Sequence, residues 1–222
     1  MKAEFWLQRW QNSEIGFHRD EVNPNLLEYI DALGLKTGDS VLVPLCGKSK
    51  DMVWLAQRGV NVVGVELSEI AIAAFFEENQ LSVEKIATDV GECWRSGNIT
   101  VYCADFFDIK AEHCRHIDAV YDRAALVALP EIMRAEYCRH LVEIVPEPLS
   151  LLLVSFDYDQ VKMDGPPFSV PSDQIKRYFS GVVPIRPLAS KDILAEETHF
   201  QDRGLDEILE QVYFMGYPSR VA

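Results

Sequence analysis

Two short apolar runs, each followed by a segment with helical spacing, lie close together in the chain. The first run, residues 40–45, ends at a turn that contains Gly47, and the second, residues 61–67, ends at Ser68. Residues 51–57 place apolar side chains on one helical face, and Ser68 can cap a second helix with a similar face. Strand, helix, strand and helix within about forty residues predict a βαβ unit, which needs a parallel sheet covered by helices.

The same alternation of strand and helix signals continues toward the C-terminus. Residues 149–156 form a nearly continuous apolar run, which is typical of a strand covered on both faces. The polar residues 157–171 predict a loop. We expect one domain over residues 1–222 with an α/β fold: a doubly wound, mostly parallel sheet with an N-terminal helical extension at residues 1–35. The other predicted elements are helices at residues 4–11, 24–33, 131–144 and 172–179, and strands at 99–103, 117–121, 182–188 and 211–217, the last two antiparallel to each other.

The charge of the chain limits its partners. The 222 residues include 35 acidic and 21 basic side chains, which give a formal net charge of −14. Binding to nucleic acid or to an anionic membrane needs clustered Lys and Arg, so we expect neither partner. The apolar runs are far shorter than the roughly 20 residues that span a bilayer, and the N-terminus lacks the apolar core of a signal peptide. We expect a cytoplasmic monomer whose partner is a small molecule.

The five cysteines contain no CxxC pair, and an odd number in an intracellular chain indicates reduced thiols. Cys114, His113 and His116 could form part of a zinc site, but no second group of ligands stands elsewhere in the sequence. A partly exposed loop is the favoured interpretation of these three residues. We therefore predict no metal.

In open α/β sheets, ligands bind beyond the carboxyl ends of the strands, and two candidate residues lie there. Glu66, at the end of the second predicted strand, follows Gly47 by 19 residues. A carboxylate near this spacing binds ribose hydroxyls in dinucleotide folds. The turn has only one glycine of the G-x-G-x-x-G pattern, so it lacks the cradle for a diphosphate. S-adenosylmethionine has a ribose and an adenine but no phosphate, and it fits this turn.

Three other classes of function share parts of this pattern. A nicotinamide-dependent oxidoreductase is the main alternative, because the βαβ unit and Glu66 permit it. A non-catalytic domain that binds the cofactor or a partner protein is another. A P-loop NTPase would need glycine at position 42, five residues before Gly47, and that position is leucine.

Two further strand ends carry candidate ligand-binding residues. Asp105 can accept a hydrogen bond from the exocyclic amine of adenine, and Phe106 can stack on the base. Phe107 is equally consistent with ordinary core packing. Beyond the next strand, Asp122 is expected to orient Arg123 or to cap the turn.

Five segments in this order resemble the thiopurine S-methyltransferase family, and the short form of the chain suggests its bacterial branch. They are residues 6–10 (WLQRW), 16–18 (GFH), 43–48 (VPLCGK), 64–68 (GVELS) and 122–128 (DRAALVA). Each motif is weak alone, but together they are specific. The resemblance covers the chain from Trp6 to about Pro130 and is weaker beyond.

The resemblance implies a Rossmann-like class I methyltransferase fold with S-adenosylmethionine as cofactor. It implies methyl transfer to the sulfur of aromatic or heterocyclic thiols, and also to selenium or tellurium compounds, as in detoxification and tellurite resistance. Residues 6–17 match a segment that closes over the cofactor. Residues 157–171 are not matched to the family, and we expect them to shape the substrate pocket. The matched cofactor-contacting residues are Trp10, Leu45, Glu66 and Arg123, while Phe17 and Arg123 match positions near the substrate.

Overall fold

The computed structural model describes residues 3–217, and all strands in that range belong to one nine-stranded sheet. The strands are β1 (Ser40–Pro44), β2 (Asn61–Glu66), β3 (Glu84–Thr88), β4 (Gly91–Ser96), β5 (Ile99–Cys103), β6 (Ala119–Arg123), β7 (Leu151–Asp157), β8 (Ile185–Asp192) and β9 (Leu209–Met215). The helices are α1 (Ala3–Gln11), α2 (Pro24–Tyr29), α3 (Lys50–Gln57), α4 (Glu69–Glu78), α5 (Ala111–Cys114), α6 (Glu131–Ile144), α7 (Ser172–Phe179) and α8 (His199–Asp202). Short 3₁₀ segments follow α2, β5 and β6, at Ile30–Leu33, Phe106–Asp108 and Leu126–Ala128.

The strand order is β3-β4-β5-β2-β1-β6-β7-β9-β8. Five central strands are parallel: β5, β2, β1, β6 and β7. The two strands at each edge run antiparallel to their neighbours. From β1 the chain first builds toward one edge and then crosses to β6 on the other side of β1. The cleft between the ends of β1 and β6 is therefore the topological switch point, where α/β sheets of this kind bind ligands.

Local sequence signals explain the central βαβ unit. Ser49 and Ser68 accept hydrogen bonds from the amides of Asp51 and Ala71, so each caps the helix that follows it. The apolar strands are covered on both faces by two large groups of buried side chains. The predicted α/β fold with a mostly parallel central sheet and an N-terminal helical extension is confirmed, as are the helices at residues 131–144 and 172–179 and the final antiparallel pair.

The sequence analysis missed the hairpin of β3 and β4. Its first strand is largely exposed and carries charged side chains, so it has no apolar run to reveal it. The hairpin is stabilised across the strands, where the Lys85 ammonium lies 3.6 Å from the centre of the Trp94 ring. The strand predicted at residues 117–121 begins two residues later, and the one predicted at 182–188 is displaced to β8.

The segment around Cys114 differs from the exposed loop that we expected. It forms the short helix α5, and Cys114 is buried in the core. Burial raises the pKa of its thiol to about 12, so the group stays protonated at neutral pH and packs as an apolar core residue. Among the described residues no helix is long and apolar enough to cross a membrane.

Candidate active site

A cavity of about 710 Å³ opens at the carboxyl ends of the central strands. Its volume is in the range of sites for cofactors and small molecules. Strand ends and their turns form one side, which we call the floor (residues 44–51, 66–68 and 121–126). Two segments from opposite ends of the chain form the roof (residues 3–22 and 193–203). The eight residues predicted to contact the cofactor or the substrate all line this cavity: Trp10, Phe17, Leu45, Gly47, Glu66, Asp105, Phe106 and Arg123.

The turn after β1 has an unusual backbone. Leu45 has a φ of 47°, which is uncommon for a residue with a side chain, and Gly47 has a φ of 53°. A Cβ atom at Gly47 would lie 3.2 Å from the ring of Trp10, closer than most such contacts. Glycine is therefore needed here for both backbone conformation and space. The turn brings α1 directly over the strand end.

Glu66 connects this turn to the next one. Its Oε2 atom accepts a hydrogen bond of 2.9 Å from the Gly47 amide, and its Oε1 atom accepts one of 2.8 Å from the Ser68 amide. The residue is only 6% exposed. Burial raises the pKa of the carboxyl, while the amides oppose that rise. Each oxygen still has lone-pair capacity for hydroxyl donors from a ligand.

The turn after β5 carries two aromatic rings and an acidic side chain. Asp105 accepts a hydrogen bond of 3.0 Å from the Phe107 amide and thereby caps the short 3₁₀ segment. Phe106 is almost fully buried, and its ring lies 5.1 Å from that of Tyr137 and 5.4 Å from that of His140. Phe107 is the more exposed of the two phenylalanines, so it offers more open ring surface to a base.

The turn after β6 is organised by a buried carboxylate. Asp122 accepts hydrogen bonds from the Tyr137 hydroxyl at 2.7 Å and from the Leu126 amide at 3.1 Å. Ala124, which lies between Asp122 and Leu126 in the chain, adopts a left-handed conformation with a φ of 65°. Burial raises the pKa of Asp122 to about 6. Asp122 thus fixes the turn that carries Arg123, as the sequence indicated.

Aromatic rings and one ion pair form the roof. The ring of Phe17 makes edge contacts with Trp6 at 5.6 Å and Trp10 at 5.5 Å. Across the cavity mouth, the Arg19 guanidinium pairs with the Glu197 carboxylate, which joins the N-terminal part of the roof to the C-terminal part.

Sequence reasoning missed several residues of the site. Asp51 and Tyr121 meet on the floor although they are 70 residues apart, and Arg19 and Glu197 are 178 residues apart. Tyr137 lies in the predicted helix, but nothing in the helical pattern shows that its hydroxyl reaches Asp122. The only available signal was positional, because Tyr121 lies near the end of a predicted central strand.

The residues present fit S-adenosylmethionine. The floor contains the buried carboxylates of Asp51 and Glu66, and no described cation forms an ion pair with either. Buried carboxylates without cationic partners suit a cofactor that carries positive charge and hydroxyl donors. The narrow turn at Gly47, closed by Trp10, leaves no diphosphate cradle. Fold and site together define an S-adenosylmethionine-dependent methyltransferase of the Rossmann-like class.

Comparison with known proteins identifies the family. The thiopurine S-methyltransferase family model matches residues 1–217. A thiopurine S-methyltransferase of Nitrosospira multiformis is 45% identical over 97% of this chain and 98% of its own length. One from Pseudomonas aeruginosa is 45% identical over 97% and 99%. The chain belongs to the thiopurine S-methyltransferase family, which decides for the methyltransferase and against the nicotinamide-dependent and non-catalytic alternatives.

Solved structures agree on the fold. The Burkholderia thailandensis 1,6-didemethyltoxoflavin-N1-methyltransferase, with bound S-adenosylhomocysteine, has a TM-score of 0.63 and 12% identity over 97% of this chain and 87% of that one. A Haemonchus contortus phosphoethanolamine N-methyltransferase 2 with S-adenosylmethionine has a TM-score of 0.69 and 12% identity over 99% and 60%.

Proposed function

We propose that this enzyme methylates the sulfur of small aromatic or heterocyclic thiols, which bind as thiolates between Phe17 and Arg123. The names of its relatives support this substrate class. The cavity supports it as well, since its lining as a whole is mostly apolar and includes flat surfaces at Phe17, Phe156, Pro166 and Pro167.

The cofactor is proposed to lie along the strand ends in the order of the sheet. Asp105, after β5, binds the adenine amine, with Phe106 and Phe107 beside the base. Glu66, at the end of the neighbouring strand β2, accepts from the ribose hydroxyls. Trp10 and the turn at Leu45 and Gly47 enclose the cofactor from the roof and from β1. The roles of Trp10, Leu45, Gly47, Glu66, Asp105, Phe106 and Arg123 are all part of this proposal.

The substrate assignment rests on one observation, the side-chain interactions of Arg123. Its guanidinium lines the cavity and makes no hydrogen bond or ion pair with another described side chain. By contrast, Arg19 and Arg9 at the same cavity pair with Glu197 and Glu14. A guanidinium stays charged at all working pH values, so Arg123 can favour an anionic substrate without titrating itself.

The reaction needs orientation more than proton transfer by the protein. When bound, S-adenosylmethionine supplies a methyl group on a positively charged sulfur. A thiolate held at Arg123 would take up this methyl group as its sulfur forms the new S–C bond, and S-adenosylhomocysteine would leave with the electron pair of the C–S bond that breaks. Heteroaromatic thiols lose their proton to solvent near neutral pH, so no dedicated base is required. The roof excludes water and the apolar wall aligns the substrate, which favours an in-line displacement.

Release of S-adenosylhomocysteine in the presence of aromatic thiols tests this function. We expect Arg123→Lys to lower kcat/KM by roughly 10-fold, because lysine keeps the charge but loses the planar fork. Arg123→Ala should lower it by roughly 100-fold, with partial recovery at higher pH as more thiol ionises unaided. Arg139→Ala is the matched control, because Arg139 pairs with Glu143 on an exposed face of α6. If the wild type, both Arg123 variants and Arg139→Ala had equal kcat/KM, Arg123 would have no part in the mechanism.

Activity on selenium and tellurium compounds, a role in detoxification or tellurite resistance and a cytoplasmic location belong to the same proposal. So do the expectations of a monomer and of no nucleic-acid partner. Competition among thiols, selenols and tellurite, reported as kcat/KM for each, would rank these substrates. Substitutions within residues 157–171 should change the ranking, because Pro166 and Pro167 line the cavity.

A further inference from the structure

Asp51 is a buried carboxylate on the cavity wall to which neither the sequence nor the proposed reaction gives a role. It stands in the first turn of α3 and is 2% exposed. Its Oδ1 atom accepts a hydrogen bond of 2.8 Å from the Asn23 amide, and its Oδ2 atom accepts one of 3.0 Å from the Tyr121 hydroxyl. Both donors are neutral, and no described cation forms an ion pair with this carboxylate.

The negative charge of Asp51 therefore has hydrogen-bond donors but no positively charged partner among the described side chains. A buried charge is costly unless it is paired as well as hydrogen-bonded. Neither lysine beside this turn supplies the partner, because the Lys48 ammonium pairs with Glu78 at 2.6 Å and the Lys50 ammonium donates a hydrogen bond to Asn79 at 2.9 Å. A ligand cation in the cavity would complete the site.

The strand order shows which part of the cofactor reaches Asp51. Adenine and ribose are proposed to lie over β5 and β2, at Asp105 and Glu66. The next strands along the edge are β1 and then β6. The amino-acid end of the cofactor therefore extends toward the cleft between β1 and β6. Asp51 lies at this cleft, since it bridges the helix after β1 to Tyr121 of β6.

We propose that Asp51 binds the α-ammonium group of the methionine moiety of S-adenosylmethionine. Each carboxylate oxygen keeps lone-pair capacity beyond its single protein donor, so the ammonium can add charge-assisted hydrogen bonds without displacing Asn23 or Tyr121. Asp51 is then a cofactor-binding residue, and Tyr121 is the positioning residue that orients it. This inference rests on the placement of adenosine given under the proposed function.

The test compares two ligands that differ in the amino-acid part. S-adenosylhomocysteine carries the ammonium, whereas 5′-deoxy-5′-methylthioadenosine lacks the whole amino-acid end. Calorimetry with Asp51→Asn should show affinity for S-adenosylhomocysteine lower by roughly 10- to 100-fold, the usual cost of a hydrogen bond to a charged group. Affinity for methylthioadenosine should stay within about threefold. Asp173→Asn is the matched control, because Asp173 is exposed on α7, where it pairs with Arg177, and does not line the cavity, so the ratio of the two affinities should stay unchanged.

A second measurement uses the unaltered protein. Wild type should bind the desamino analogue of S-adenosylhomocysteine more weakly by the same factor, and Asp51→Asn should then lose little further affinity for that analogue. Equal proportional losses for S-adenosylhomocysteine and methylthioadenosine would show that Asp51 only supports the fold. Wild-type protein that binds the desamino analogue as tightly as S-adenosylhomocysteine would also overturn the proposal. Wild type that binds neither adenosine compound would instead overturn the cofactor assignment itself.

Discussion

The floor and the roof of the cavity are built from different kinds of interaction. On the floor, Asp51, Glu66 and Asp122 are nearly inaccessible to water and accept hydrogen bonds from backbone amides and tyrosine hydroxyls. On the roof, Arg19 and Glu197 keep 37% and 25% of their side-chain surface exposed and attract each other as ions. Buried hydrogen bonds are little affected by salt but respond to pH, while exposed ion pairs are screened by salt. The floor should therefore be the fixed part of the site, and the roof the adjustable one.

The largest expected effect comes from removing part of the roof. Deletion of residues 1–16 should abolish turnover, because the deletion removes the rings of Trp6 and Trp10, which we propose close over the cofactor. The sheet should remain folded, since Trp10 is the only described residue of α1 that is buried. We expect Tm to fall by less than about 10 °C.

Amide hydrogen exchange on the intact chain gives the control. Residues 3–17 should exchange fast without cofactor and more slowly with S-adenosylhomocysteine, whereas β1 and β2 should be slow in both states. Equally slow exchange of residues 3–17 with and without the cofactor would contradict a mobile roof.

The second prediction concerns the response of the floor to pH. The pKa of Asp122 is raised from 3.8 to about 6 by burial, so between these pH values the folded state retains a proton that the unfolded chain has released. The Asp122 contribution to the free energy of unfolding therefore falls as pH rises from about 4 to 6. At 1.36 kcal/mol per pKa unit the fall is about 3 kcal/mol.

Asp122→Asn tests this contribution because asparagine cannot titrate. The free energy of unfolding of the variant, relative to wild type, should rise by about 3 kcal/mol between pH 3 and pH 7. Urea denaturation at several pH values measures it. Asp202→Asn on the exposed surface of α8 is the control and should show a much smaller change. A pH-independent difference between wild type and Asp122→Asn would show that Asp122 does not titrate in this range.

The floor could be predicted from the sequence to a greater degree than the roof. β1, β2 and their helices follow from apolar runs, helical spacing and the Ser68 cap within a few residues, and Gly47 and Glu66 lie at the strand ends. The hydrogen bond between Tyr121 and Asp51 joins positions 70 residues apart, and no local pattern encodes it. On the roof, Phe17 was found only through the family resemblance.

The hairpin of β3 and β4 escaped prediction for a related physical reason. An edge strand with one solvated face and charged side chains has little hydrophobic periodicity, and its pairing is determined by the neighbouring strand. The Arg19–Glu197 pair likewise depends on where two distant segments meet, which only the fold determines.

The third prediction concerns Glu66, whose two hydrogen bonds join the turns of the floor. Its replacement should have a smaller effect than the pH response of Asp122. Glu66→Ala should weaken binding of S-adenosylmethionine by roughly 1–3 kcal/mol, the cost of leaving polar partners unpaired. Glu69→Ala, three residues further on at the exposed start of α4, is the matched control and should leave the affinity unchanged. Calorimetry measures both. Unchanged affinity in a folded Glu66→Ala protein would refute the ribose assignment.

The smallest effect should come from the ion pair of the roof. A double-mutant cycle with Arg19→Ala and Glu197→Ala should give a coupling free energy of about 0.2–1 kcal/mol, because both side chains are partly exposed. The coupling should decrease between about 0.05 M and 0.5 M salt, as the Debye length shortens. The exchanged pair, Arg19→Glu with Glu197→Arg, should recover most of the kcat/KM lost in either single charge reversal. The same cycle on Arg139 and Glu143, an exposed pair on α6, controls for general salt effects and should leave kcat/KM unchanged. Coupling that survives high salt undiminished would mean that the roof, like the floor, is fixed by buried contacts, and the contrast between the two parts of the site would not stand.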